Sequence, residues 1–257
     1  MGRMRFEGKV ALITGGASGI GAAAAAQMVR EGGRVLLADQ DEARAAAKAS
    51  ELGDAARFIR LDVREEAGWR AAIEAAAALG PLTTLVNSAG VSIPATIEDE
   101  SLEGFRFTLG VNLEGTFLGC KYGVAALKGA KGAAIVNVGS TLGHRAGAIF
   151  AAYCASKGGV AMLTKAAALH CAEQGYDIRV NAILPGAVHT SMVEGYIARG
   201  EAAGATREQV IEGFASVHPM KRLGRAEEAG AAICFLASEE ASFTTGALLP
   251  VDGGYLA

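Results

Sequence analysis

Cysteine is scarce in this chain and never clustered. The 257 residues hold four, Cys120, Cys154, Cys171 and Cys234, with no Cys-x-x-Cys pair and no histidine at ligand spacing. That pattern excludes a disulfide framework or a thiolate metal site, and it predicts small buried thiols in a reducing cytoplasm. Histidine offers no metal site either, since His170, His189 and His218 stand apart from one another. An excess of basic charge is also missing. Twenty-four Lys and Arg against 27 Asp and Glu leave a net charge of −3 and a pI near 5.9. Such a balance provides no field for nucleic acid. No apolar run approaches the roughly 20 residues of a membrane span. The opening residues, Met-Gly-Arg-Met-Arg-Phe-Glu-Gly-Lys, lack a signal-peptide layout and are expected to lead directly into a strand.

What is present is ample core material and abundant glycine. Apolar residues make up 51% of the chain, enough for a sizeable core in one domain. The 35 glycines fall at turns and helix ends, not in a low-complexity tract. Strand-like and helix-like segments alternate. Strands are predicted at 9–14, 34–38, 57–61, 82–86, 134–138, 178–184 and 247–251. Helices are predicted at 22–30, 41–52, 65–79, 102–127 and from about 151 to 174. This alternation argues for an α/β fold: a seven-stranded parallel sheet with helices on both faces, in a single domain over 1–257. Between about 187 and 214 the alternation lapses into short helical pieces and glycines. An insertion of this kind after a strand's carboxyl end is expected to form a substrate lid. Met192, Val193, Tyr196 and Ile197 would face an apolar substrate, or pack against the body.

The first strand runs into Gly15-Gly16-Ala17-Ser18-Gly19-Ile20-Gly21. Glycines there let a ligand approach the backbone, and a helix N-terminus would present free N–H groups to a pyrophosphate. A literal Gly19-x-Gly21-x-x-Ala24 match lies in the wrong register. Asp39 follows Gly21 by eighteen residues, at the end of the second strand, where a carboxylate can accept hydrogen bonds from an adenosine ribose. It would repel a 2′-phosphate, and no basic residue in the turn or directly after Asp39 would neutralise one, so NAD is favoured over NADP. As an alternative, Asp39 or Asp41 could simply cap the next helix.

Further along, Tyr153-x-x-x-Lys157 places a phenol and an ammonium on one helical face. A cation beside a phenol lowers its pKa and makes it a candidate acid/base at an oxygen atom. The same spacing also suits a plain solvent-facing pair. Ser140 lies thirteen residues upstream, beyond the apolar run at 134–138.

Taken in order, Thr14-Gly15-x-x-x-Gly19-x-Gly21, Asp62-Val63, Asn87-Ser88-Ala89-Gly90, Asn112, Ser140, Tyr153-x-x-x-Lys157, Pro185-Gly186 and Asp252-Gly253-Gly254 resemble the short-chain dehydrogenase/reductase family over essentially the whole chain. The resemblance implies a Rossmann fold and four catalytic residues. Tyr153 would be the acid/base, and Lys157 would hold the nicotinamide ribose and depress the tyrosine pKa. Ser140 would orient the substrate oxygen, and Asn112 would anchor a proton-relay water. It further implies cofactor contacts at Gly15, Ser18, Gly19, Ile20, Gly21, Asp39, Asp62, Val63, Asn87, Ala89, Gly90, Pro185, Gly186, Val188 and Thr190, shared with Tyr153 and Lys157. A homotetramer is implied as well. Two positions depart from the family pattern: Ser88 stands where a second Asn is usual, and Gly139 precedes Ser140 where Ser is common.

The chain is also similar to bacterial 3β/17β-hydroxysteroid and cyclic secondary-alcohol dehydrogenases. That similarity implies reversible NAD(H)-linked interconversion of an apolar secondary alcohol and its ketone, without a metal. Ile93, Leu142, His144, Ile149, Phe150, Met192, Val193 and Tyr196 would border the substrate. Two rivals are a 3-oxoacyl-thioester reductase, usually NADP-linked, and a non-catalytic dinucleotide-binding regulatory protein, for which a broken tetrad would be expected. The reading of Asp39 is directly testable: Asp39→Ala should relax the preference for NAD over NADP in paired kcat/KM measurements. An unchanged ratio would remove Asp39 from ribose recognition.

Overall fold

The computed structural model describes residues 4–257; residues 1–3, part of the opening stretch considered above, lie outside the described residues. In the first half of the chain, strands β1 (Val10–Thr14), β2 (Arg34–Asp39), β3 (Ala56–Arg60) and β4 (Leu82–Asn87) alternate with helices α1 (Gly19–Arg30), α2 (Glu42–Leu52) and α3 (Glu66–Ala77). Helices α4 (Leu102–Leu109) and α5 (Gly115–Leu127), strand β5 (Ala133–Val138), helix α6 (Ala151–Glu173) and strand β6 (Ile178–Pro185) follow. The last part contains β7 (Val188–His189), α7 (Ser191–Ala202), α8 (Arg207–Ser216), β8 (Gly224–Arg225), α9 (Ala226–Ala237) and β9 (Leu248–Val251).

Seven strands form one sheet in the order β3-β2-β1-β4-β5-β6-β9, every pair parallel. This is the expected single-domain Rossmann arrangement. Strands β1, β5 and β6 are buried along their whole length, as a parallel sheet covered on both faces requires. Their side chains divide between two cores with a period of two. Ala11, Ile13, Val35, Leu37, Ala134 and Val136 pack with α1 and α9 on one face. Val10, Leu12, Leu36, Ala38, Ala133 and Ile135 pack with α3, α5 and α6 on the other. Each fully buried Leu or Ile contributes about 1.5–3 kcal/mol. The two-faced core therefore holds the carboxyl ends of the strands as a rigid edge. Strand order reverses between β1 and β4 while the strands stay parallel, and the crevice at such a switch is where α/β sheets take their ligands.

Three elements differ from the sequence expectation. Helix α1 starts at Gly19, three residues early, because Ser18 is extended and ends the turn there. The helix predicted across 102–127 is interrupted by a π-helical turn at Gly110–Glu114. Thr116 Oγ1 donates to the Asn112 carbonyl at 2.7 Å, and the Asn112 side chain leaves the helix surface for other partners. Helix α9 was not anticipated. Its alanine-rich segment reads weakly by periodicity, yet Gly230 lets it lie directly on the α1 backbone: a Cβ there would stand 3.0 Å from the Ala23 carbonyl carbon and the Ala24 nitrogen.

The 187–214 insertion is more regular than its glycines suggested. It holds α7 and α8, with Thr206 and Gln209 forming a reciprocal cap at the start of α8. Three of the four cysteines are buried as expected, while Cys154 is only half-buried. Burial pushes Cys120 and Cys234 up to about 12, which leaves both thiols protonated and inert.

Candidate active site

Along the carboxyl edge of the sheet runs one large cavity of about 830 Å³. Its floor begins at the glycine turn. Gly15 and Gly19 have φ of +63° and +53°, a region that disfavours residues with a Cβ. A Cβ at Gly15 would also meet the Ala89 nitrogen at 2.8 Å, and one at Gly21 would meet the Gly15 carbonyl at 2.4 Å. Thr14 locks this approach, its Oγ1 accepting from the N–H groups of Ser88 and Ala89 at 3.1 and 3.2 Å. The N-terminus of α1 opens onto the cavity, and Ser18 makes no side-chain cap that would occupy its N–H groups. A pyrophosphate fits this cradle.

Past the turn, Asp39, Gln40, Leu61, Asp62 and Val63 form the end of the cavity near β2 and β3. Asp39 accepts from the N–H of Ala17 at 3.2 Å and of Asp41 at 3.1 Å, so its carboxylate is held at the rim. The capping alternative goes to Asp41, whose Oδ1 accepts from the Arg44 N–H. Asp62 carries a bidentate contact from Arg64, whose side-chain hydrogen bonds hold the carboxyl below the usual carboxylate range. No Lys or Arg lines this end of the cavity.

At the middle of the cavity stand Ser140, Tyr153 and Lys157. A short 3₁₀ turn, Thr141–Gly143, follows Ser140 and packs on the backbone of α6. Gly143 makes that contact possible, since a Cβ would lie 2.7 Å from the Lys157 carbonyl carbon. Ser140 is buried and hydrogen-bonds Tyr153. Lys157 is buried too, and its Nζ donates to the Val138 carbonyl at 2.7 Å, 5.7 Å from the Tyr153 ring centroid. Asn112 closes the group from behind. Its Oδ1 accepts from the Val91 N–H at 2.8 Å, and its Nδ2 donates to the Val91 carbonyl at 2.9 Å and to Ser156 Oγ at 3.0 Å.

The electrostatics differ from expectation. Burial pushes the Tyr153 phenol up to about 12, with the Ser140 hydrogen bond pulling the other way. Burial also lowers the Lys157 ammonium to about 8. The depressed tyrosine inferred from a Tyr-Lys pair is therefore not found. Desolvation outweighs the cation, which is itself weakened by its burial and aims at a carbonyl rather than at the phenol.

The wall opposite the sheet comes from the insertion. Tyr196 of α7 packs edge-on against Phe150 at 5.8 Å and lies tilted against Phe214 of α8, also at 5.8 Å; Phe150 in turn meets Tyr153 at 6.4 Å. Ile93, Leu142, Phe150, Met192, Val193 and Tyr196 line the cavity, as do Pro185, Gly186, Val188, Thr190, Ala89 and Gly90. His144 and Ile149 do not; both are exposed beyond the rim, and Ile149 is engaged through its carbonyl with Ala95. Ile197 turns fully into the core. Asn87 lies one layer below the wall, its Nδ2 donating to Asn137 Oδ1 at 2.8 Å, and Asn137 in turn donates to Thr164.

Sequence reasoning passed over His218. Its Nδ1 meets the Phe214 carbonyl at 2.8 Å and its Nε2 accepts from the Ala187 N–H at 3.1 Å, which fixes the neutral ring with the proton on Nδ1. Gly186 is required by the same contact: a Cβ there would reach His218 Nε2 at 2.5 Å. Tyr255, Phe214 and Arg199 also line the cavity unannounced. None carries a spacing signal, because each arrives from a separate element.

Fold and cavity together are those of a nicotinamide-dinucleotide oxidoreductase. The comparisons agree. A family model described as enoyl-(acyl carrier protein) reductase matches residues 15–256. The NADP-dependent (R)-specific alcohol dehydrogenase of Lentilactobacillus kefiri is 38% identical, over 98% of both chains. The 3-beta-hydroxysteroid dehydrogenase of Comamonas testosteroni is 39% identical over 98% of this chain and 97% of its own. The ligand-free aldohexose dehydrogenase structure of Thermoplasma acidophilum superposes with a TM-score of 0.89 at 32% identity, covering 99% of this chain and 96% of that one. The chain belongs to the short-chain dehydrogenase/reductase family.

The Gly143 contact generates a prediction. Gly143→Ala must displace either the 3₁₀ turn or the start of α6, and so Ser140 relative to Tyr153. A misplacement of about 1 Å costs on the order of 10²-fold in rate. Turnover is expected to fall by that order while NADH affinity, read by fluorescence titration, stays within about three-fold.

Proposed function

We propose that this protein catalyses the reversible NAD(H)-dependent oxidation of an apolar secondary alcohol, cyclic or steroid-like, to its ketone. One observation carries the reading: a single cavity joins the glycine turn and Asp39 to Ser140, Tyr153 and Lys157 and is walled by aromatic and aliphatic side chains. When bound, the nicotinamide ring accepts the hydride from the carbinol carbon in oxidation and returns it in reduction.

The chain's own residues manage position and one proton. Ser140 donates to the substrate oxygen and fixes it beside Tyr153. Tyr153 takes the hydroxyl proton in oxidation and returns it to the carbonyl oxygen in reduction. Lys157 holds the ribose hydroxyls with donors not given to Val138, and its charge favours the phenolate. Asn112 keeps the segment following Gly90 in place through the Val91 backbone. The glycine turn and α1 N-terminus bind the pyrophosphate, Asp39 the adenosine ribose, and Asp62 and Val63 the adenine side. Pro185, Gly186, Val188 and Thr190, which line the cavity, would hold the carboxamide. The α7–α8 pair serves as the lid, with Glu194 bridging His189 and Arg207 at its base.

Asp39 and a cavity end that no Lys or Arg lines among the described residues support NAD, although one relative is NADP-dependent by name. The family description favours a second reading, a reductase of acyl thioesters. An NADP-linked reduction of a 3-oxoacyl thioester that exceeded every secondary alcohol would select it. Exposed Phe117 on α5 and Met162 and Leu169 on α6 support the homotetramer. Sedimentation is expected to give four times the 26.1 kDa chain mass.

Oxidation releases a proton through Tyr153, and with the phenol up near 12 the reactive phenolate is a minor species at neutral pH. Alcohol oxidation should therefore accelerate as pH rises from 6, and ketone reduction should not. The slope should flatten above about 8, where Lys157 loses its charge. Tyr153→Phe is expected to reduce turnover by at least about 10²–10⁴-fold with NADH binding retained. Near-native turnover of that variant would sink the assignment.

A further inference from the structure

Charge is segregated along the cavity. Its two carboxylates, Asp39 and Asp62, lie at the end formed by β2 and β3, the first held by backbone N–H groups and the second by Arg64. At the opposite end, under α7 and α8, no lining residue is acidic. One exposed guanidinium, Arg199, borders that end one helical turn beyond Tyr196. Among the described residues its side chain appears in none of the ion pairs or hydrogen bonds. The obvious counter-charge on the same helix, Glu194, is taken by Arg207 at 2.6 Å and by His189. Other arginines near the insertion are matched: Arg222 and Arg225 share Glu228.

The rest of that end is apolar. Phe150, Tyr196, Phe214, Met192 and Val217 surround the approach to Tyr153. Ring-to-ring steps of 6.4 and 5.8 Å lead from Tyr153 through Phe150 to Tyr196, whose phenol burial raises while a hydrogen bond with Ser92 and, to a lesser degree, the Arg199 charge pull it back. An unpaired cation beside an apolar wall attracts an anion more strongly than one in open water, because the low-dielectric surface focuses its field. Arginine also offers a planar fork matched to a carboxylate.

We infer that the substrate is a secondary alcohol or ketone with an apolar body and a carboxylate at the end remote from the carbinol carbon, and that Arg199 is the residue that binds this carboxylate. The inference rests on the alcohol dehydrogenase reading and narrows its substrate class. Arg199 acts on specificity and takes no part in proton or hydride movement.

The test compares 4-hydroxycyclohexanecarboxylate with its methyl ester, which is neutral and nearly the same shape. In the wild-type enzyme with NAD, kcat/KM for the acid should exceed that for the ester by about ten-fold, and the excess should shrink with added salt. Arg199→Gln should abolish the excess, chiefly through KM, and Arg199→Lys should restore part of it. An acid-to-ester ratio that Arg199→Gln leaves unchanged overturns the inference. Acetoacetyl-coenzyme A as sole beneficiary of Arg199 also overturns it, since the anion would then be a thioester carrier's phosphate. A binding arm separates this result from failure of the reaction itself. Unreactive cyclohexanecarboxylate, titrated into the enzyme–NADH complex, should bind about ten-fold more weakly to Arg199→Gln. Loss of that binding without turnover of either alcohol would refute the alcohol dehydrogenase reading and keep the anion site. Equal binding to both proteins would refute the anion site.

Discussion

Lys157 stands in the interior with none of the ion pairs among the described residues engaging it, and one carbonyl, that of Val138, takes its Nζ–H at 2.7 Å. Keeping an ammonium there is costly, as its lowering to about 8 records. The surrounding chain is shaped to permit it. Glycine at 90 leaves room in front of Nζ, where a Cβ would stand 3.6 Å away and 3.3 Å from Asn112 Oδ1. The π-helical turn lowers Asn112 into the same layer, and Gly143 lets the chain after Ser140 lie on the Lys157 backbone. Remove the buried cation and these accommodations lose their purpose.

The support for that arrangement is the sheet, with its two apolar faces closed by α1 and α9 on one side and α3, α5 and α6 on the other. Polar groups inside it are joined to one another. Asn87, Asn137 and Thr164 form a hydrogen-bonded line beneath the cavity, so the ends of β4 and β5 are coupled to α6. Hydrogen bonds in a low-dielectric core hold their partners stiffly, although Asn87 Oδ1 itself is left without one. Tyr153 and Lys157 lie on the helix that this line reaches through Thr164.

The wall facing the sheet has a different character. It is built from α7 and α8, tied to the body by His218 and by ring contacts, and it carries exposed charge. Ser140, Tyr153 and Lys157 sit on the core side, while Met192, Val193, Tyr196 and Phe214 line the cavity from the insertion, joined by Ile93, Leu142 and Phe150 from the body.

Much of this was legible along the chain. Alternating apolar segments determined a parallel α/β sheet, because a strand buried on both faces must read as a continuous apolar run. The glycines at 15, 19 and 21, Asp39, and the pair Tyr153 and Lys157 were readable because each depends on short-range spacing: a tight turn, one strand length, one helical turn. Asn112 was recognisable only through family resemblance, since a π-helical turn has no local code. Other features were settled by packing. The assignment of Asn87 to the inner network, the exposure of His144 and Ile149, the contribution of His218, and the meeting of Arg199 with the rings of Phe150 and Tyr196 all bring together residues far apart in sequence. The sign of the tyrosine shift belongs with them. Spacing put a cation near a phenol, but how far each was withdrawn from water depended on every element folded over them, and desolvation acts through three-dimensional surroundings that no linear motif contains.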